Sequence, residues 1–73
     1  MENKRLVSRV ATIFVEQVDV DLFQEQYTNA YQKALSRRKV GSPDPHIAFS
    51  TCADCAGQTV YTALFSYIIE EWE

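Results

Sequence analysis

The chain of 73 residues is long enough for one small domain, 1–73; with 47% hydrophobic residues and only two glycines and two prolines, it is not a disordered segment. It has no apolar run of the ~20 residues that a membrane span needs and no signal-peptide core, so we expect a cytoplasmic protein whose two cysteines stay reduced. The net charge of −3 combines +2 over residues 1–40 with −5 over residues 41–73, and so acidic a C-terminal part disfavours membranes and nucleic acid as partners.

The first predicted element is an amphipathic helix over residues 4–18. At ~100° per residue, the apolar residues between Leu6 and Val18 fall on one arc, and strict apolar–polar alternation is absent. The Val and Ile content of this segment also suits a strand. The alternative is therefore an α+β fold with short strands near residues 7–18 and 46–50.

The second predicted helix spans residues 20–39. Asp19 or Asp21 can cap its N-terminus, and a narrow apolar stripe from Phe23 to Ala34 marks its buried side. Cations gather towards its C-terminal end, where the helix dipole favours them, and Gly41 ends the helix. The following segment, GSPDPH, is a connector because two prolines and a glycine exclude regular structure.

The third predicted helix, residues 52–72, has the clearest pattern in the chain. Thr51 to Asp54 match a T-x-x-D capping box, and apolar residues recur at helical spacing from Val60 to Trp72. That spacing places Trp72 on the packed stripe, against the first helix or a neighbouring subunit. The three helices together predict an all-α three-helix domain, a small helical bundle with a Pro-containing connector.

Two cysteines, Cys52 and Cys55, form a C-x-x-C pair at the predicted start of the third helix, where the helix dipole acidifies thiols. A redox enzyme is disfavoured because no βαβ pattern accompanies the pair. Zinc is disfavoured because a closed site needs four ligands, whereas the chain offers these two cysteines and His46. We therefore interpret the cysteines as packing residues and predict no cofactor. A zinc- or thiol-dependent domain that uses Cys52, Cys55 and His46 remains the alternative function.

Enzyme activity is not predicted. The single histidine leaves no Ser or Cys nucleophile with both a base and an orienting group, and no glycine-rich phosphate loop is present. A helix-turn-helix is disfavoured because the third helix carries no Lys or Arg and the connector is about ten residues rather than 3–4. A basic cluster at the end of the second helix leaves nucleic-acid binding as the least favoured function.

The apolar surface exceeds what three short helices can bury against one another. The arcs of the first and third helices span roughly 220° and 240°, against a little over ~100° for a core-facing stripe. We therefore predict a non-enzymatic regulatory protein that forms a homodimer and binds a larger protein, in the manner of small acidic accessory regulators or mobile-element modulators. The predicted partner-binding residues, rich in the aromatics that favour interfaces, are Val10, Phe14, Tyr61, Leu64, Phe65, Ile68 and Trp72.

Overall fold

The computed structural model describes residues 4–72, which form one helix and three strands. In chain order these are β1 (Leu6–Gln17), α1 (Val20–Arg37), β2 (His46–Ala53) and β3 (Thr59–Trp72). The sheet has the order β1-β3-β2, and β3 pairs antiparallel with both neighbours. Helix α1 packs on one side of the sheet, over β1 and β3. The result is a two-layer structure with 49% strand and 26% helix.

This architecture shows that the predicted all-α three-helix bundle is wrong. Residues 4–18 contain β1 rather than a helix, and residues 52–72 contain the end of β2, a hairpin turn and β3. Only the second predicted helix, 20–39, has a helix at its position, and that helix ends at Arg37. The α+β alternative named strands near 7–18 and 46–50, where β1 and β2 lie, but neither version placed a strand at 59–72.

Strand β3 carries apolar side chains on both sides of the sheet, which explains the error. Alternate residues of a strand point to opposite sides, and here both sets are largely apolar. A strand of this kind has no period-two signal, and its apolar residues also satisfy the spacing of a wide helical arc. The β-branched and aromatic content favours a strand, and pairing of β1 with β3 over the whole of Leu6–Gln17 stabilises it. The residues of β3 that face α1 include Tyr61, Ala63, Phe65, Tyr67 and Ile69.

Helix α1 begins where its local sequence predicts. Asp19 is the N-cap, and its Oδ1 accepts hydrogen bonds from the backbone N–H of Asp21 at 2.8 Å and of Leu22 at 3.1 Å. At the other end, the Arg38 N–H donates to the Ala34 carbonyl at 2.9 Å. Gly41 lies beyond the helix and turns the connector with a φ of +86°.

The core lies between α1 and the sheet and is centred on Phe65, which is fully buried. The Phe65 ring contacts Tyr27, with ring centroids 5.0 Å apart, and Tyr31 at 6.4 Å. The small side chains of Ala30 and Ala63 let the helix approach the sheet closely, and both are buried. Burial of Phe65 contributes about 1.5–3 kcal/mol.

The β2–β3 hairpin occupies the place of the predicted third-helix start. Asp54 Oδ1 accepts hydrogen bonds from the backbone N–H groups of Ala56 and Gln58, each at 2.9 Å. The Gly57 N–H donates to the Asp54 carbonyl at 3.0 Å, and Gly57 has a φ of +83°. These are the marks of a three-residue hairpin loop with a left-handed glycine. The T-x-x-D pattern at residues 51–54 therefore serves a turn, and it does not cap a helix.

The connector after α1 is tied to the edge of β3. The Lys39 N–H donates to the Ile68 carbonyl at 2.6 Å, and Arg38 Nη1 donates to the Ser42 carbonyl at 2.7 Å. Pro45, just before β2, is buried. The connector therefore continues the line of β2 along β3 and forms a wall beside the sheet.

The molecule is elongated, with principal dimensions of 58 × 21 × 16 Å. The 14 residues of β3 span about 46 Å at ~3.3 Å per residue. The 18 residues of α1 span only about 27 Å at ~1.5 Å per residue. The helix therefore shields part of the length of one side of the sheet.

Candidate protein-interaction surface

The side of the sheet opposite α1 is the candidate site, and we call it the open face because no element within residues 4–72 packs on it. Its residues are the even-numbered residues of the three strands, since the registers place them on one side. They lie at positions 6–16 on β1, 46–52 on β2 and 60–72 on β3.

Three apolar cross-strand pairs form a strip along the open face. They alternate with polar pairs, so apolar and polar rungs follow one another along the sheet. The apolar pairs are Leu6 with Trp72, Val10 with Ile68, and Phe14 with Leu64. Directly opposite residues have Cβ atoms about 4.5–5.5 Å apart, so each pair is in contact. The exposed fractions are 71% for Val10, 65% for Trp72, 59% for Phe14, 49% for Leu6 and 38% for Leu64.

The structure brings five of the seven predicted partner-binding residues together on the open face. These are Val10, Phe14, Leu64, Ile68 and Trp72. The other two, Tyr61 and Phe65, face α1: the Tyr61 ring lies 5.7 Å from that of Phe23, and Phe65 is the centre of the core. Trp72 does not pack on a helix, since it ends β3 opposite Leu6.

Leu6 belongs to the same strip, although sequence reasoning missed it as a partner-binding residue. It continues the four-residue spacing of Val10 and Phe14 along β1. Four is a multiple of two as well as close to a helical turn, so that spacing is compatible with one side of a strand. Assigning residues 6–17 to a strand places Leu6 on the same side of the sheet as Val10 and Phe14.

The open face is not flat. On β1 the exposed side chains are bulky, whereas β2 presents a small side chain, Ala48, and polar ones around it. Next to β3, the connector residues Pro43 and Asp44 form the rim of a depression of about 240 Å³. The depression is lined on its other sides by Val10, His46, Ser66, Tyr67 and Ile68. The half of the face along β1 is therefore high, with protruding side chains, and the half along β2 and the connector is low, with small side chains and a depression.

The charges on the open face are few and of both signs. Glu16 and Glu70 lie on the face through the register. Lys39 Nζ lies 3.2 Å from Ser8 Oγ, while the Lys39 backbone is bonded to Ile68 on the far side of β3. Its side chain therefore crosses β3 at the rung where Ser8 pairs with Glu70. A cation and a carboxylate share that rung.

A second apolar surface lies on the α1 side, between the helix and β2. It is an open groove of about 460 Å³ lined by Phe23, Gln24, Tyr27, Thr28 and Phe49. The Phe49 ring lies 5.8 Å from that of Phe23 and is more than half exposed. The groove is lined by three aromatic rings and by the polar side chains of Gln24 and Thr28.

The cysteines and the histidine do not form a cluster. Cys52 lies in β2 and Cys55 in the hairpin loop, and both are exposed free thiols. His46 is at the opposite end of β2, about 20 Å from Cys52 at ~3.3 Å per residue. Neither cysteine is at a helix N-terminus, so their predicted placement in the first turn of a third helix is wrong. Within the described range 4–72, no three His, Cys, Asp or Glu side chains are placed to hold a metal ion.

The chain matches no protein-family model, no curated protein and no solved structure. Across residues 4–72, α1 lacks the apolar length that a membrane-crossing helix needs.

Proposed function

We propose that this protein is a non-enzymatic interaction protein that works by covering its open face with the surface of another protein molecule. The observation that carries the proposal is the strip of six apolar side chains, most of them substantially exposed, on one side of the sheet. Monomeric soluble proteins rarely expose a contiguous apolar patch of more than a few hundred Å². A sheet with one helical layer leaves its other side without a packing layer, and a bound protein supplies that layer.

The chemistry of the face supports a protein as its occupant. The apolar rungs Val10–Ile68 and Phe14–Leu64 are separated by hydroxyl-bearing rungs such as Thr12–Ser66. Interfaces between proteins combine apolar contact with a limited number of hydrogen bonds in this way. A nucleic acid requires an excess of Lys and Arg, whereas the cation Lys39 shares its rung with Glu70.

The proposal includes the cytoplasm as the compartment and regulation of a larger protein as the role. Free exposed thiols at Cys52 and Cys55 suit a reducing compartment. The molecule has two apolar surfaces on opposite sides of the sheet, the open face and the groove beside Phe49. A small protein that modulates a larger one needs exposed surface with which to contact it, and these two apolar surfaces can supply that contact.

The test compares binding by three purified proteins from the same expression host: wild type, Val10→Asp and Leu22→Asp. Val10 is exposed on the open face, and Leu22 is exposed in the first turn of α1, away from that face. Proteins retained from the native host lysate are identified, purified and titrated back against each variant by calorimetry. We expect binding to survive Leu22→Asp and to fall by at least about 100-fold with Val10→Asp, because a carboxylate is then buried without a partner.

Equal binding by all three proteins would show that the open face is not the binding surface. Circular dichroism of both variants is the control for folding. Val10 lies on an edge strand and is 71% exposed, so its replacement should leave the spectrum of the isolated chain unchanged.

A further inference from the structure

We propose that the open face is covered by a second copy of this chain, in a face-to-face dimer whose twofold axis runs along β3. This inference rests on the proposed function and names the occupant of the same surface. In this arrangement β1 of each copy lies over β2 of the other, and β3 lies over β3. Two sheets that pack in this way are about 10 Å apart.

Shape is the first argument for a second copy. A twofold axis along β3 places residues of the same rung opposite each other, with β1 exchanged for β2. Phe14, Leu64 and Ala48 form one rung, so the bulky Phe14 of one copy lies over the small Ala48 of the other. Beyond the Thr12–Ser66 rung, the exposed Val10 of one copy lies over the depression of about 240 Å³ beside Ile68 of the other. High parts of the face therefore meet low parts, as close packing requires.

A twofold axis in the plane of the sheet but perpendicular to the strands gives poorer packing. It places β1 over β1 and β2 over β2. The bulky side chains of Val10 and Phe14 would then meet bulky side chains, and the low half would face a low half. At one separation between the sheets, the first contact is overpacked and the second leaves voids, and both are destabilising.

The charges are compatible with the first arrangement. Each copy brings Glu70 to the axis together with Lys39, whose side chain crosses β3 at that rung. Two carboxylates and two ammonium groups then meet, with no net charge. At the edge of the interface, Glu16 of one copy lies over the rung of Ser50 and Thr62 of the other. Since one of these hydroxyls donates within the Ser50–Thr62 pair, the other can donate a hydrogen bond to the carboxylate.

The area of the open face predicts a weak but specific dimer. Twelve paired residues of β1 and β3 span about 40 Å, and three strands about 4.8 Å apart span about 14 Å in width. The flat area is then about 560 Å² for each copy and about 1,100 Å² in total. That total is at the lower limit for a specific interface, so we expect the association to be weak.

The first experiment measures association of the full-length chain by sedimentation equilibrium from about 1 μM to about 1 mM. Trp72 is the single tryptophan of the sequence and lies on the open face, so its emission is a built-in probe. We expect dimerisation with a blue shift of the emission as concentration rises. Val10→Asp should weaken the dimer by on the order of 100-fold or more, and Leu22→Asp should not change it.

The second experiment tests the orientation with thiol cross-linking in a chain with the substitutions Cys52→Ser and Cys55→Ser. Glu16→Cys and Ser50→Cys are prepared separately, and each is treated with a thiol cross-linker of about 5 Å span, alone and mixed, because inward-facing side chains bring the two thiols closer than the ~10 Å between the sheets. We expect the mixture to give a cross-linked dimer and each variant alone to give little. Residue 16 lies over residue 50 when β1 covers β2, and neither residue lies over itself.

The outcomes separate this inference from the proposed function. A wild-type chain that is monomeric at about 1 mM would show that a second copy does not cover the open face. If a different partner protein binds the wild type but not Val10→Asp, the open face is still supported as a binding surface. A dimer that Val10→Asp does not weaken, for example one that joins strand edges, overturns the inference. A dimer with no 16–50 cross-link overturns the proposed axis.

Discussion

Replacing Phe65 and Phe14 separately by Ala tests the two-layer structure, because the two phenylalanines lie on opposite sides of the same sheet. Phe65 is 0% exposed and Phe14 is 59% exposed. Truncation of a fully buried Phe costs about 3–5 kcal/mol. Phe14 retains only about two fifths of the ~1.5–3 kcal/mol of full burial, so its loss costs about 1 kcal/mol in the isolated chain.

The assay is urea unfolding followed by far-UV circular dichroism at about 1 μM, the lowest concentration of the sedimentation series, so that association contributes little. A small domain has a stability of about 5 kcal/mol and loses about 1 kcal/mol per molar urea. Phe14→Ala should therefore lower the midpoint by about 1 M and Phe65→Ala by about 3–5 M, to a midpoint of about 0–2 M. Phe65→Leu, which keeps most of the volume, is the matched control and should cost less than Phe65→Ala.

A larger loss of stability for Phe14→Ala than for Phe65→Ala at this concentration would refute the assignment of the two sides of β1 and β3. In the proposed dimer, the cost of Phe14→Ala should grow with protein concentration, whereas that of Phe65→Ala should not. The reason is that dimer formation stabilises the folded chain by mass action, and only Phe14 is part of the proposed dimer interface.

Three further predictions concern local structure, and urea unfolding measures each of them. Gly57→Ala should lower the unfolding free energy by about 1–2 kcal/mol because a φ of +83° is strained for a residue with a Cβ, although the added Cβ meets nothing within 4 Å. Gly57→Asn should cost less, and an unchanged midpoint for Gly57→Ala would contradict the hairpin turn. Asp19→Ala should cost about 0.5–2 kcal/mol through loss of the N-cap bonds of α1, while Asp19→Ser should retain most of the stability; equal losses would argue against capping. Arg9→Ala should cost less than about 1 kcal/mol, since the 2.9 Å ion pair of Arg9 with Glu71 is half exposed, and a loss above about 2 kcal/mol would show that this pair is shielded from water.

Helix α1 was predictable from the sequence because its signals are local. Asp19 precedes the helix and caps it, and Phe23, Ala30 and Ala34 lie on one stripe that is buried on one side only. The helix contacts a single layer, so its hydrophobic period is undisturbed. The predicted end, at residue 39, was two residues too late, because the connector leaves the helix to bond to β3.

Strands β1 and β3 were not predictable from their periodicity because each has two apolar sides. A helical arc wider than 200° placed Leu64, Phe65 and Ile68 in one group, whereas the strand separates Phe65 from the other two. An apolar arc that wide is itself a sign of a two-sided strand. The strand pairing that makes these segments β rather than α joins residues distant in sequence, such as Val15 and Ala63. Local propensity does not report such contacts.

The candidate surface was predicted in part for the same reason. Val10, Phe14 and Trp72, three of the predicted partner-binding residues, lie on one apolar strip of the open face, whereas the helical prediction did not separate the two sides of a sheet. Asp54 illustrates the same limit at the scale of a few residues. Its side chain accepts two backbone hydrogen bonds in a turn, just as a capping residue does at a helix start. A T-x-x-D sequence does not distinguish the two.

The elongated form of the molecule affects how fast it diffuses. Its radius of gyration is 15.9 Å, whereas a compact chain of this length has about 11 Å. An elongated particle experiences more friction than a sphere of equal mass, so a single copy sediments slowly and leaves a sizing column early, at the position of a heavier globular standard. Its rotation is also anisotropic, since tumbling about the short axes is slower than spinning about the long one. Two copies stacked face to face become thicker without becoming longer, so the dimer is the rounder particle, and its frictional ratio should decrease as its mass doubles.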